Sequence, residues 1–287
     1  MGLAQALRRT GASVAAARLG GDEAAARDAR LYASLGLAPD GSSSPLSPGD
    51  VPALAQGRLL LLECPPGPPP EGWQGWGARA LVVARYPHLD AGDVAAILGE
   101  SLLGVVLTCV PGRRLERARQ EATAGGVRLL GLLAEDRALA SPTLLQMAEA
   151  LSAQALYASG HEEMVLERVF ISPIAADPGQ GYFARHRPTA VIVRSDKPDL
   201  QLGALNAGVP CLIVTGEVPV LPYVLQRAEE DGVPLLLTGL GTLEVAQRLD
   251  DLLGQVPLQG RAKAERAAGL VAQALSGAGL EALLAAS

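Results

Sequence analysis

At 287 residues the chain has room for one large domain or two ordinary ones, and 49% apolar residues are enough for a core. A formal net charge of −6 argues against a nucleic-acid-binding surface, and 3% aromatic residues leave few base-stacking platforms. The three cysteines, Cys64, Cys109 and Cys211, are far apart, which fits small thiols in a reducing compartment rather than a disulfide framework or a metal site.

No apolar run approaches the ~20 residues needed to span a bilayer, and no leader pattern opens the chain. A soluble cytoplasmic protein is expected. In chain order, residues 2–9 read as a helix with Leu3 and Leu7 on one side, and residues 13–17 as a strand. Residues 22–35 form a helix with Asp22 as N-cap. Residues 39–52 are a loop. Residues 58–64 (RLLLLEC) read as a buried strand ending in the carboxylate of Glu63. The following PPGPPPEG lacks amide donors and stays irregular. Strands follow at 80–84, 104–110 and 127–133, with helices at 93–98 and 114–124. Ser141 and Pro142 predict the N-cap and first position of a helix running to about Tyr157.

A strand is expected at 167–174, a turn at 177–181 and a short helix at 182–186. Three apolar runs then stand out, at Ala190, Cys211 and Pro234. None alternates with polar residues, as in strands buried on both faces. Each leads into a turn and a helix, and Gly208 and Gly232 close the first two helices. Pro257 to Gly260 breaks the chain before a helical stretch at 261–284. The fold class predicted is α/β: two three-layer α/β/α domains with mainly parallel sheets, plus a C-terminal helical tail. The expected boundaries are 1–158, 159–255 and 256–287.

Parallel strands place their carboxyl ends on one edge, where ligands of open sheets bind. The candidate ligand-binding residues are therefore Arg194, Asp196, Lys197, Thr215, Gly216, Glu217, Thr238 and Thr242. Hydroxyls and free helix N–H groups there suit an anion. Equally, Asp196 and Thr242 would serve as ordinary helix caps. No catalytic residue is assigned. The two lysines, Lys197 and Lys263, follow no glycine loop, so no Walker A sequence is present. The histidines His88, His161 and His186 have no zinc-ligand spacing, and there is no G-x-S-x-G elbow. No metal and no cofactor are predicted.

On the stretches 2–9, Leu62-Glu63, 104–107 and 130–151, and on 196–202, 211–216 and Leu237-Thr238, the chain resembles the two N-terminal modules of long bacterial phosphate acetyltransferases. The first module resembles a dethiobiotin-synthetase-like (BioD-like) P-loop domain. The second resembles a DRTGG domain, related to the N-terminal domain of HPr kinase. In the first module the resemblance implies a nucleotide-site remnant at Glu63, Thr108, Glu135 and Asp136. Its phosphate loop would precede Gly2, and Thr108 stands where an asparagine is common. In the second, Asp196-Lys197 replaces the family's D-R, and Glu217 replaces the second glycine of its T-G-G. The resemblance implies a non-catalytic regulatory protein binding a small polar or anionic ligand, without nucleic-acid or membrane partners and compatible with a homo-oligomer. The alternatives are a P-loop ATP-dependent enzyme of the dethiobiotin synthetase or cobyrinic acid diamide synthase type, and a structural partner of an acyl-phosphate enzyme.

Overall fold

A computed structural model describes residues 1–172, 176–275 and 283–284. It divides into two compact units, Met1–Asp136 with Gln259–Ser287, and Arg137–Leu258. Both are α/β with mainly parallel sheets, as the unalternating apolar runs predict. Among the described residues no helix is long and apolar enough to cross a membrane.

The first unit opens with α1 (Gly2–Arg8), β1 (Val14–Arg18) and α2 (Glu23–Ser34). Asp22 caps α2 as expected, its carboxylate accepting from the Ala25 N–H at 2.7 Å. Next come α3 (Val51–Leu54), β2 (Leu59–Glu63), β3 (Ala80–Arg85), α4 (Ala91–Leu98), β4 (Leu102–Val110), α5 (Leu115–Ala124) and β5 (Leu129–Ala134). The five strands form two sheets, β1–β2 and β3–β4–β5, both parallel. β4 is covered on both faces. Val105 and Leu107 meet α4 and α5, whereas Val106 meets the C-terminal residues Leu275 and Leu283. β2, expected to be buried, is only half-buried.

The second unit contains α6 (Arg137–Ala140), α7 (Leu144–Ala150), β6 (Gln154–Leu156), β7 (Val169–Ile171), α8 (Ala176–His186), β8 (Ala190–Arg194), α9 (Pro198–Asn206), β9 (Leu212–Thr215), α10 (Pro222–Glu230), β10 (Leu235–Thr238) and α11 (Thr242–Leu252). One five-stranded sheet runs β6–β10–β9–β8–β7, with β6 antiparallel and the rest parallel. Ile192, Ile213 and Leu236 pack under α7 and α11. Val191, Val193, Leu212, Val214 and Leu235 pack under α8, α9 and α10. Two covered faces explain strands without polar alternation. Gly208 and Gly232 follow α9 and α10 with φ of 69° and 64°, the left-handed geometry expected of them.

Three local expectations change. The helix predicted for 141–157 is only α7, with Thr143 rather than Ser141 as N-cap. Thr143 and Gln146 form a reciprocal capping box. Ser141 instead donates its hydroxyl to the Arg137 carbonyl at 2.7 Å. The residues after α7 leave the helix to form β6, which pairs with β10. The turn expected at 177–181 lies inside α8, because a proline in a first turn does not interrupt a helix. The strand expected at 167–174 is confined to β7, and residues 173–174 lie outside the described residues.

The boundary placed at 158 moves to 136/137, because α7 and β6 build the core and sheet of the second unit. The C-terminal helix expected after Gly260 is present as α12 (Arg261–Ala274) and belongs to the first unit. It packs along α1 and β5 in the first unit.

Burial ranks the thiols. Cys109 is exposed, Cys64 half-buried and Cys211 buried in the core of the second unit. Burial raises the Cys64 thiol and pushes the Cys211 thiol up to about 12. Ellman's reagent is expected to label Cys109 first and Cys64 more slowly. Cys211 should react only after the second unit unfolds. Stoichiometric labelling of all three in native buffer would contradict this burial.

Candidate ligand-binding site

The carboxyl ends of β8, β9 and β10 lie in register. Arg194 pairs with Thr215 across one ladder, and Thr215 with Thr238 across the next. Beyond them lies a hollow of about 260 Å³. Its polar lining is Ser195, Glu217 and Thr238, and its apolar lining includes Val214, Val218, Val220 and Leu237. α9, α10 and α11 begin on this edge with Lys197, Leu221 and Gly241 as N-caps. None of the three N-caps makes a side-chain hydrogen bond to its helix. The capping reading of Asp196 and Thr242 is therefore set aside.

Those side chains have other partners. Asp196 accepts two hydrogen bonds from Arg194, at 2.9 and 2.6 Å, and these hold its carboxyl below the usual carboxylate range. The Thr242 hydroxyl is 2.9 Å from that of Thr215, which also lies 3.3 Å from the Val193 carbonyl. Thr238 donates to the Leu151 carbonyl at 3.1 Å and accepts from the Leu240 N–H at 3.3 Å. Both strand-end hydroxyls are buried and engaged within the fold. Gly216 turns away from β9 with φ of 102°, and its N–H bonds the Thr238 and Leu240 carbonyls.

Of the eight candidates, Gly216, Glu217 and Thr238 line the hollow. Glu217 is exposed and its stem lies over Gly239, whose added Cβ would be 3.9 Å from the Glu217 Cγ. Lys197 is exposed at the start of α9.

Two residues of this edge gave no motif-level signal. Ser195 is buried and lines the hollow. Gln201, fully buried on α9, donates to the Arg194 and Ser195 carbonyls at 2.7 and 3.1 Å. It thereby fixes the turn out of β8.

Residues 146–252 match the family model described as the DRTGG domain. The chain carries a DRTGG domain. The match begins within α7, earlier than the boundary expected at 159. A solved structure is also similar: the crystal structure of the CBS and DRTGG domains of the regulatory region of Clostridium perfringens pyrophosphatase, complexed with the activator diadenosine tetraphosphate. It is 15% identical, covers 64% of this chain and 78% of that chain, and has a TM-score of 0.35. The strand-end hollow and its three helix starts all lie within the DRTGG domain.

In the first unit, Glu63 lies in the sheet of β1 and β2 and Thr108 in that of β3, β4 and β5, and Glu135 and Asp136 follow β5. Glu63 ends β2 and pairs in register with Arg18. It accepts from the Tyr32 hydroxyl and from Arg18 at 3.5 Å. Thr108 donates to the Ala84 carbonyl at 3.3 Å, and Asp136 accepts twice from Arg266 of α12. Glu135 follows β5 and is exposed. Arg18 and Tyr32, both buried, and the half-buried Asp28 complete a polar cluster with the exposed Glu63, and no motif in the sequence points to them. Arg18 lies 3.5 Å from Asp28 and donates to the Cys64 carbonyl at 2.7 Å. Among the described residues no group of acidic, histidine and cysteine side chains is placed to hold a metal ion.

Burial, and then the charge of Glu63, raise the Asp28 carboxyl against the opposing pull of Arg18. A carboxyl raised by folding stabilises the fold most below its unfolded value, and that contribution is lost as pH rises through the folded value. At neutral pH the ionised Asp28 therefore opposes folding. Asp28→Asn is expected to raise the melting temperature of the first unit near neutral pH. The gain should close at about pH 3.5, where the wild-type carboxyl is mostly protonated. Thermal melts of both proteins at the two pH values check the sign.

Proposed function

We propose that the chain is a regulatory, non-catalytic protein whose DRTGG domain binds a small polar ligand over the carboxyl ends of β8, β9 and β10. The observation that carries the reading is the hollow at three registered strand ends, beside three helix starts that no side chain caps. Uncapped N–H groups favour a negative group. Arg194 is neutralised by Asp196, and Glu217 adds a carboxylate to the lining. A zwitterion with a small apolar body suits this set better than a free triphosphate. The finer kinship we propose is with the regulatory N-terminal region of the long phosphate acetyltransferases, on the residues that carry the sequence resemblance.

The internal engagement of Glu63, Thr108 and Asp136 supports the non-catalytic reading over the ATP-dependent enzyme. Their polar groups hold the first unit together. Steady Mg-ATP turnover by the purified chain would overturn it.

The ligand experiment is a thermal-shift screen with neutral amino acids, small carboxylates, inorganic phosphate and nucleotides. Glu217 is exposed, so Glu217→Gln is expected to leave the unliganded melting temperature unchanged. It should weaken a zwitterionic hit about tenfold, near the lower end of what a hydrogen bond to a charged group contributes. Amino-acid or carboxylate hits of equal affinity in both proteins would place that ligand outside the strand-end hollow.

A further inference from the structure

The β7 edge of the DRTGG domain carries a second cluster, which the strand-end hollow does not use. Both phenylalanines of the chain belong to it. The Phe170 ring on β7 lies 5.7 Å from Tyr182 and 5.9 Å from His186, both on α8. Tyr182 and His186, one helical turn apart, are 4.5 Å from each other. Phe183 is buried in the core and anchors α8. Tyr182 keeps 43% of its surface exposed. In a chain with 3% aromatic residues this is a local concentration of rings, held at the surface by a buried neighbour.

Three arginines lie next to these rings in the sequence. Arg168 directly precedes β7, and Arg185 and Arg187 flank His186. All three are exposed, and none forms an ion pair among the described residues. Arg187 also holds an unfavourable backbone. It closes α8 with φ of 46°, its N–H donating to the Phe183 carbonyl at 2.8 Å. α9 and α10 are followed by Gly208 and Gly232 in the same left-handed region. Glycine occupies that region without steric strain, whereas arginine does not. Strained positions of this kind cluster where a side chain has a task beyond the fold.

We propose that this cluster is a second binding site, for a purine nucleotide. The base stacks on the exposed face of Tyr182, and the phosphates meet the guanidinium groups of Arg185 and Arg187, with Arg168 adding charge. Tyrosine provides a flat face for a base, and the planar guanidinium fork matches phosphate oxygens. The net charge of −6 disfavours a long nucleic acid strand and leaves a mononucleotide as the occupant.

Isothermal titration of the full chain with ADP, adenosine and inorganic phosphate tests it. ADP should bind more tightly than adenosine or phosphate alone. Tyr182→Ala should weaken ADP about tenfold, and Tyr182→Phe should retain it. Arg187→Gly should raise the melting temperature yet weaken ADP several-fold, which separates the strain from the binding. Glu217→Gln, in the strand-end hollow, should leave ADP affinity unchanged. The proposal is overturned by absence of ADP binding to the folded chain, by full affinity in Tyr182→Ala or Arg187→Gly, or by phosphate binding as tightly as ADP. Loss of ADP binding in Glu217→Gln would also overturn it, by assigning the nucleotide to the strand-end hollow.

Discussion

Gln201→Ala is expected to destabilise the second unit by about 3 kcal/mol, read as an earlier urea transition in the exposure of Cys211. Gln201 is fully buried, and its amide nitrogen bonds two successive carbonyls, Arg194 and Ser195. Arg194 also receives the Lys197 N–H at 3.2 Å, so the Ser195 carbonyl depends more heavily on the glutamine. Leaving buried acceptors without donors costs about 1–3 kcal/mol each, and truncation adds a cavity. Gln201 Oε1 is itself buried without a hydrogen-bond partner, so the wild-type side chain already carries an unsatisfied acceptor. Gln201→Leu removes that acceptor together with the two donations and fills most of the space. It should be milder than Gln201→Ala. Gln201→Glu places a carboxylate against two carbonyls and should be the most damaging of the three. Equal losses in all three variants would mean that volume alone matters at this position.

The second unit was the more legible half of the sequence, for a physical reason. β8, β9 and β10 are covered on both faces, so burial writes unbroken Val, Ile and Leu runs into the chain. Gly208 and Gly232 were legible because only their left-handed backbone matters. β6 was not. It has three residues, and it is a strand because β10 lies beside it, not because of its own pattern. α8 was hidden by Asp177-Pro178-Gly179, residue types that a turn and a helix's first turn both accept. In the first unit the order of strands along the chain was readable. Their separation into β1–β2 and β3–β4–β5 was not, because apolar runs do not state which strands pair.

The site divides in the same way. That Arg194, Thr215 and Thr238 share an edge follows from parallel topology, and the registers agree. That the threonine hydroxyls are already engaged could not be read, since their partners Thr242 and Leu151 are 27 and 87 residues away. Sequence reasoning expects Thr215→Val and Thr238→Val to weaken a ligand and spare the fold. The hydrogen bonds add a cost to the fold, because each change removes a hydroxyl that bonds within it.

Gly104→Ala is expected to destabilise the first unit by about 3 kcal/mol, at the upper end of what overpacking does to a tight interior. The register between β3 and β4 shifts at this point, so that Ala80 faces Leu102 while Leu81 faces Gly104. Such a bulge brings a neighbouring backbone close. The Arg128 carbonyl accepts from the Val105 N–H at 2.8 Å. A Cβ on Gly104 would stand 2.6 Å from that same oxygen and 2.7 Å from Leu130 Cγ. The backbone oxygen cannot rotate aside as a side chain can. To admit the methyl, either the Val105 bond lengthens or β5 shifts against β4. Gly269, inside α12 of the same unit, is the control. Nothing lies within 4 Å of an added Cβ there, and its backbone is helical. Gly269→Ala should therefore stabilise by up to about 1 kcal/mol through helix propensity. Urea unfolding of the two variants should move the transition of the first unit in opposite directions. A neutral Gly104→Ala would mean that β4 and β5 slide freely at the bulge.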